Sequence, residues 1–132
     1  MKKLFFVCAL SALSGCVTGK GPVASSPSTP VFFKPQSSAL DQNARTTIAS
    51  VAAIARAKPD APVIIVGTSE NKADNGLGEA LSEARAQTVA AELVADGVAK
   101  DRLRIYGAGA VDAPKGLNAS QGARRVLISI GS

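Results

Sequence analysis

Two long stretches of helix-forming residues, each leading into a short run of apolar β-formers, constrain this chain more than any other feature. The first runs from about Ala39 to Lys58. There Leu40, Ala44, Ile48, Val51 and Ala55 recur at steps of three and four, which places them along one face of a helix. Ser38, with Asp41 three residues on, forms a capping-box-like start, and Pro59 ends the stretch. The second stretch, from about Glu79 to Asp96, turns Leu81, Ala84, Val89 and Leu93 inward and stops at Gly97. Its many alanines favour helix and allow it to lie close on a sheet.

Strand signals fill the gaps. Val31-Phe32-Phe33 reads as a first strand ended by Lys34-Pro35. Pro62 to Gly67 is too continuous a β-branched run for a half-exposed strand, which predicts a central strand covered on both faces, followed by a polar loop from Thr68 to about Gly78. Leu103 and Ile105 open a third strand that runs into a glycine-rich turn at Gly107-Ala108-Gly109. Arg124 to Ile130 alternates Val126, Ile128 and Ile130 with Leu127 and Ser129, the pattern of a fourth strand. The order βαβαββ predicts an α/β sandwich of the α+β class, two helices packed on one face of a mixed four-stranded sheet. Each βαβ unit favours parallel strands, and the terminal pair suits an antiparallel one.

The N-terminus belongs to a different physical problem. Lys2 and Lys3 precede an apolar run from Leu4 to Leu13, then the small residues Ser14 and Gly15, the order of a signal peptide over residues 1–15. That run is too short to span a bilayer, which takes roughly 20 apolar residues. Leu13-Ser14-Gly15-Cys16 is similar to a lipobox, after which the cysteine sulfur is acylated and the chain cleaved before it. Two or more acyl chains on Cys16 would anchor the chain stably, where one would be marginal. Val at position 17, rather than Asp, favours the outer membrane within this resemblance. From Val17 to Pro30 the chain is Gly, Pro, Ser and Thr with little apolar content, and reads as a flexible tether reaching at most roughly 45 to 50 Å. Residues 31–132 are then expected to form one domain.

Cys8 and Cys16 are the only cysteines, so with one in the signal peptide and one lipidated, no disulfide or free thiol is expected in the domain. The 15 basic residues include Lys2 and Lys3, and without these the excess over the 10 acidic ones falls from +5 to about +3. Basic residues are scattered and aromatics few, which argues against nucleic acid as a partner. The chain has no histidine, and neither Ser69 nor Ser82 sits in a nucleophile-elbow context. No metal, cofactor or enzymatic chemistry is expected.

What remains is a polar constellation on the second strand, loop and helix. Glu70 follows the strand-ending Gly67 by three residues, and Arg85 sits in an early turn of the second helix. Helical side chains tilt toward the N-terminus, so Arg85 can lean back over the loop carrying Glu70. Such a pair could flank a cleft for a zwitterionic amino-acid end group, its ammonium on the carboxylate and its carboxylate on the guanidinium. The same spacing also suits a plain ion pair or two solvated side chains.

Six segments in order carry a family resemblance: Val31-Phe32-Phe33 with Ser38-Ala39-Leu40, Gly67-Thr68-Ser69-Glu70, Leu81 to Ala86, Gly97-Val98 with Arg102-Leu103, Gly107-Ala108-Gly109, and Arg124-Arg125-Val126. Together they resemble the C-terminal OmpA-like domain, across about Val31 to Ile130. The resemblance implies a domain that binds the diaminopimelate side chain of peptidoglycan through an aspartate after the second strand, an arginine on the second helix and an arginine from the last strand. By position these correspond to Glu70, Arg85 and Arg124 or Arg125. The family's Gly-His-Thr-Asp stands here as Gly67-Thr68-Ser69-Glu70, its asparagine before the helix as Gly78, and its Asn-Arg-Arg as Ala123-Arg124-Arg125. The implied protein is a lipid-anchored component on the periplasmic face of the outer membrane that holds peptidoglycan non-covalently. The alternative is a domain that has lost wall binding and docks protein partners in an envelope assembly such as a secretion system.

Overall fold

The computed structural model describes residues 27–70, 77–111 and 119–131. The expected signal peptide, Cys16 and the tether as far as residue 26 lie outside the described residues. Among the described residues the elements are β1 (Ser28–Phe32), α1 (Gln42–Ala57), β2 (Val63–Ser69), α2 (Leu77–Ala95), β3 (Leu103–Ala110), α3 (Ala119–Ala123) and β4 (Arg125–Ile130). A 3-10 turn, Lys100–Arg102, precedes β3. The strands form the expected mixed four-stranded sheet, in the order β1-β4-β2-β3.

β2 and β3 run parallel across the α2 connection. The sequence order suggested that the last two strands pair with each other. Instead β4 inserts between β1 and β2, antiparallel to both, where Val126 and Ile128 become fully buried. β1 starts at Ser28, so Ser28 to Pro30, expected in the tether, are paired with Ser129 to Leu127 of β4.

The first helix begins later than its capping-box signal suggested. Asp41, not Ser38, is the cap, its Oδ1 accepting from the Ala44 N–H at 2.8 Å. The expected stripe of Ala44, Ile48, Val51 and Ala55 is buried, with Ala52 beside it and Leu40 packed at its edge. The second helix ends as its glycine predicts. Gly97 takes φ +97°, and the N–H groups of Val98 and Gly97 donate to the carbonyls of Leu93 and Val94, the paired bonds of a Schellman stop. At the same end, Arg102 donates from Nε and Nη2 to the Ala61 carbonyl, and from Nη2 to the Lys58 carbonyl at 2.6 Å, fastening the α1–β2 turn.

Three expectations need correction. β2 is not covered on both faces: Val63, Ile65 and Gly67 lie under the helices, while Ile64 is exposed and Val66 half-buried on the other side. Its unbroken β-branched run reflects a central place in the sheet, where neighbouring strands shield even the open face. Gly107-Ala108-Gly109 is no turn but the second half of β3. The buried face of α2 is rotated from the apolar expectation, since Ala84 is exposed, Leu81 half-buried, and the stripe reads Gly78, Ser82, Arg85, Ala86, Val89, Ala90, Leu93. Two polar residues therefore lie on the side facing the sheet.

Candidate functional site

The rotated face of α2 has a local cause. A Cβ on Gly67 would overlap the Ser82 carbonyl oxygen, and one on Gly107 would come within 3.0 Å of the Glu83 backbone nitrogen. Glycine at these two positions lets the first turns of α2 rest directly on the sheet backbone. At that closeness no room is left for large apolar side chains, and the contact is made by polar ones instead. The Ser82 hydroxyl donates to the Glu79 carbonyl at 2.7 Å and accepts from the Gly109 N–H at 2.9 Å.

One turn on, Arg85 is completely buried, although the stripe expected to face inward did not include it. Its guanidinium gathers three carbonyls from two chain segments. Nε donates to the Ser37 carbonyl at 2.8 Å, Nη1 to the Thr68 carbonyl at 3.0 Å and Nη2 to the Lys34 carbonyl at 3.2 Å. The Phe33 ring lies beneath it, 5.5 Å from guanidinium carbon to ring centroid. The β1–α1 segment is shaped for this contact. Ser37 donates its N–H to the Lys34 carbonyl at 3.2 Å, and the turn passes through Gln36 in the left-handed region, φ 51°.

Glu70 completes the cluster. Its Oε2 stands 3.6 Å from Arg85 Nη1, so the two groups expected to flank a cleft form an ion pair with each other. Among the described residues that inaccessible oxygen accepts no hydrogen bond, and the buried Ser69 hydroxyl also has no partner. Burial pushes the Arg85 guanidinium below its ordinary pKa, the Glu70 carboxylate opposes that shift, and Arg124 adds to it by like-charge repulsion.

The two candidate arginines of the last strand separate cleanly. Arg124 lies on the helix side, where its Nε donates to the Phe33 carbonyl at 3.2 Å and its own carbonyl accepts from the Phe33 N–H at 2.9 Å. Arg125 pairs with Phe32, and because its neighbour Val126 points into the core, its side chain projects from the opposite face of the sheet. Glu70, Arg85 and Arg124 are thus brought together and Arg125 is not, while Cys16 lies outside the described residues. The Thr68 hydroxyl ties the strand end to the last segment, 2.7 Å from the Ala123 carbonyl and 3.0 Å from that of Arg125. Sequence reasoning missed the carbonyls of Lys34 and Ser37, the Phe33 ring and the Ser82 bridge. Only Ser82, three residues before Arg85 on the same helical face, left a signal that could have been read.

The domain is a small mixed sheet with two helices on one face and a polar cluster, two arginines and a glutamate, at the ends of its central strands. The chain belongs to the OmpA family, whose model matches residues 32–126. Among solved structures it is similar to the peptidoglycan-associated lipoprotein from Burkholderia pseudomallei, at 18% identity and TM-score 0.69, covering 76% of this chain and 88% of that one. The C-terminal domain of Helicobacter pylori MotB matches at 22% identity and TM-score 0.69, covering 79% and 86%. An outer membrane protein from Borrelia burgdorferi B31 matches at 25% identity and TM-score 0.64, covering 80% and 87%. A comparison with curated protein sequences found no match.

Proposed function

We propose that this chain is an outer-membrane lipoprotein, anchored through Cys16 on the periplasmic face, whose OmpA-like domain holds diaminopimelate-containing peptidoglycan non-covalently. It is a tether and not an enzyme. The observation that carries the reading is the meeting of Glu70, Arg85 and Arg124 where the central strands end, in a domain of this family. Two guanidinium groups face one carboxylate, so the cluster has an excess positive charge that favours a ligand carboxylate, while Glu70 offers a partner for an ammonium. Arg124, and not Arg125, is the last-strand member of the clamp, because only its side chain shares the helix side with Arg85.

Co-sedimentation of the full chain with isolated peptidoglycan tests this. Binding should be competed by free diaminopimelate and weakened by Glu70→Gln. Absence of sedimentation beside a working positive control overturns the tether. Anchoring is tested separately: Cys16→Ser should abolish lipid labelling and membrane partition, and persistent attachment without label removes the lipoprotein reading.

One observation favours a second reading. Arg85 is fully buried and three of its donors are already committed to carbonyls, so a ligand carboxylate has to compete with the fold for it. In that reading the guanidinium is purely structural, and the domain docks envelope proteins without holding the wall.

A further inference from the structure

Both helices of the sandwich lie on one face of the sheet, which leaves the other uncovered among the described residues. The strand register identifies what that face presents. Pro30, Leu127, Val66 and Tyr106 are direct neighbours across β1, β4, β2 and β3 and form one continuous apolar row. One level toward the β1–α1 end lie Phe32 and Arg125, and one level the other way lie Ile64 and Arg104. Phe32, Ile64 and Tyr106 are 43, 36 and 54% exposed, whereas Leu127 and Val66 in the central strands are half-buried. The face is therefore a shallow trough along β4 and β2, walled by Phe32 and Pro30 on one side and by Tyr106 on the other.

Charge on this face has one sign. Arg104 and Arg125 are its only ionisable residues apart from Tyr106 among the described strand positions, and among the described residues neither has a carboxylate within ion-pair distance. Arg104 Nη1 donates to the backbone carbonyls of Asp101 and Leu103. The Nε of Arg125 is inaccessible and has no hydrogen-bond partner. An apolar strip with an unpaired cation toward each end asks for an occupant with the opposite pattern.

We infer that this open face docks an amphipathic helix of a partner protein whose apolar stripe is bordered by carboxylates. From the level of Arg125 to that of Arg104 is four residues of strand, roughly 13 Å, the length of about two and a half helical turns. A second copy of this chain does not fit, because a two-fold pairing would set this face against itself and confront arginine with arginine. A bilayer is the poorer occupant for a geometric reason. A flat surface would meet Phe32 and Tyr106 first and leave the recessed Leu127 and Val66 uncovered, whereas a cylinder fills the trough. The Glu70–Arg85 cluster lies on the helix side of the sheet and this face on the other side, so partner docking and wall binding are compatible on one domain.

The test is a titration of the full chain with a synthetic helical peptide of about 16 residues, carrying a leucine stripe flanked by glutamates. The controls are the same peptide with lysines for the glutamates, and vesicles of phosphatidylethanolamine with phosphatidylglycerol. The glutamate peptide should perturb the methyl resonances of Ile64, Val66 and Leu127. Its affinity should fall roughly tenfold or more for the lysine peptide and for Arg104→Glu. Tyr106→Glu should also abolish binding while leaving far-UV circular dichroism and peptidoglycan sedimentation unchanged, which separates this surface from the clamp. Equal binding of both peptides, binding of neither, binding of vesicles alone, or self-association through this face by sedimentation equilibrium would each overturn the inference.

Discussion

The two ends of the helix-covered layer are built on different principles. Where β2 and β3 begin, Val63 and Leu103 belong to the same buried apolar cluster as Ala55, Leu93 and Val98. Where the same strands end, the core gives way to Gly67, Thr68, Ser69, Ser82 and Arg85, all buried and most of them polar. The apolar end is held by volume, and many side chains of the right size could serve there. The polar end is held by matched donors and acceptors, each of which costs free energy when left alone. Only the polar end also has the chemistry to recognise a charged ligand, so under the proposed function stability and binding share one residue, Arg85.

The largest expected effect tests that sharing. Arg85→Ala should destabilise the domain by about 3–5 kcal/mol, because it leaves a carboxylate and three carbonyls without their common partner. Urea denaturation measures it, and a melting temperature close to wild type would break the comparison by showing that the polar end does not hold the fold. Arg85→Lys should recover little of the loss, since an ammonium cannot reproduce a fork to three carbonyls.

At the opposite end, Leu93→Ala should cost about 2–4 kcal/mol through the cavity it leaves in the apolar core. Peptidoglycan sedimentation of this variant should match wild type under conditions where both are folded, which separates the two ends by function. Ser82→Ala should cost about 1–3 kcal/mol by leaving the buried Gly109 N–H without an acceptor. Hydrogen exchange should speed up first at Gly109, and uniform acceleration across the sheet would argue against a local role. The smallest effect belongs to Asp41→Ala, which removes one helix cap outside the cluster and should cost about 1 kcal/mol, read from the denaturation midpoint.

Much of the fold was legible because its signals are local. A helical stripe such as Ala44, Ile48, Val51 and Ala55 depends only on a period, and the Gly97 stop only on one residue's freedom at positive φ. The alternation of Val126, Ile128 and Ile130 likewise marked the buried side of β4 correctly. The site was legible in part. Lean-back of helical side chains placed Arg85 near Glu70, yet the inward face of α2 was assigned to its apolar residues, and Ser82 and Arg85 were passed over because polarity reads as exposure.

Sequence alone determined the number and order of the main strands and helices, the two-helix, one-face architecture and the residues from which a clamp could be drawn. It did so because period, capping and chain connectivity act between residues close along the chain. Tertiary structure decided that β4 enters between β1 and β2, that Gly107 and Gly109 extend a strand instead of turning it, and that Arg124 and Arg125 point to opposite faces. It also decided that Arg85 is buried, because its solvation is replaced by carbonyls of Lys34, Ser37 and Thr68, from 17 to 51 positions away in the chain. Whether a charge can be buried depends on where such distant acceptors come to rest, and no pattern within one helix records that.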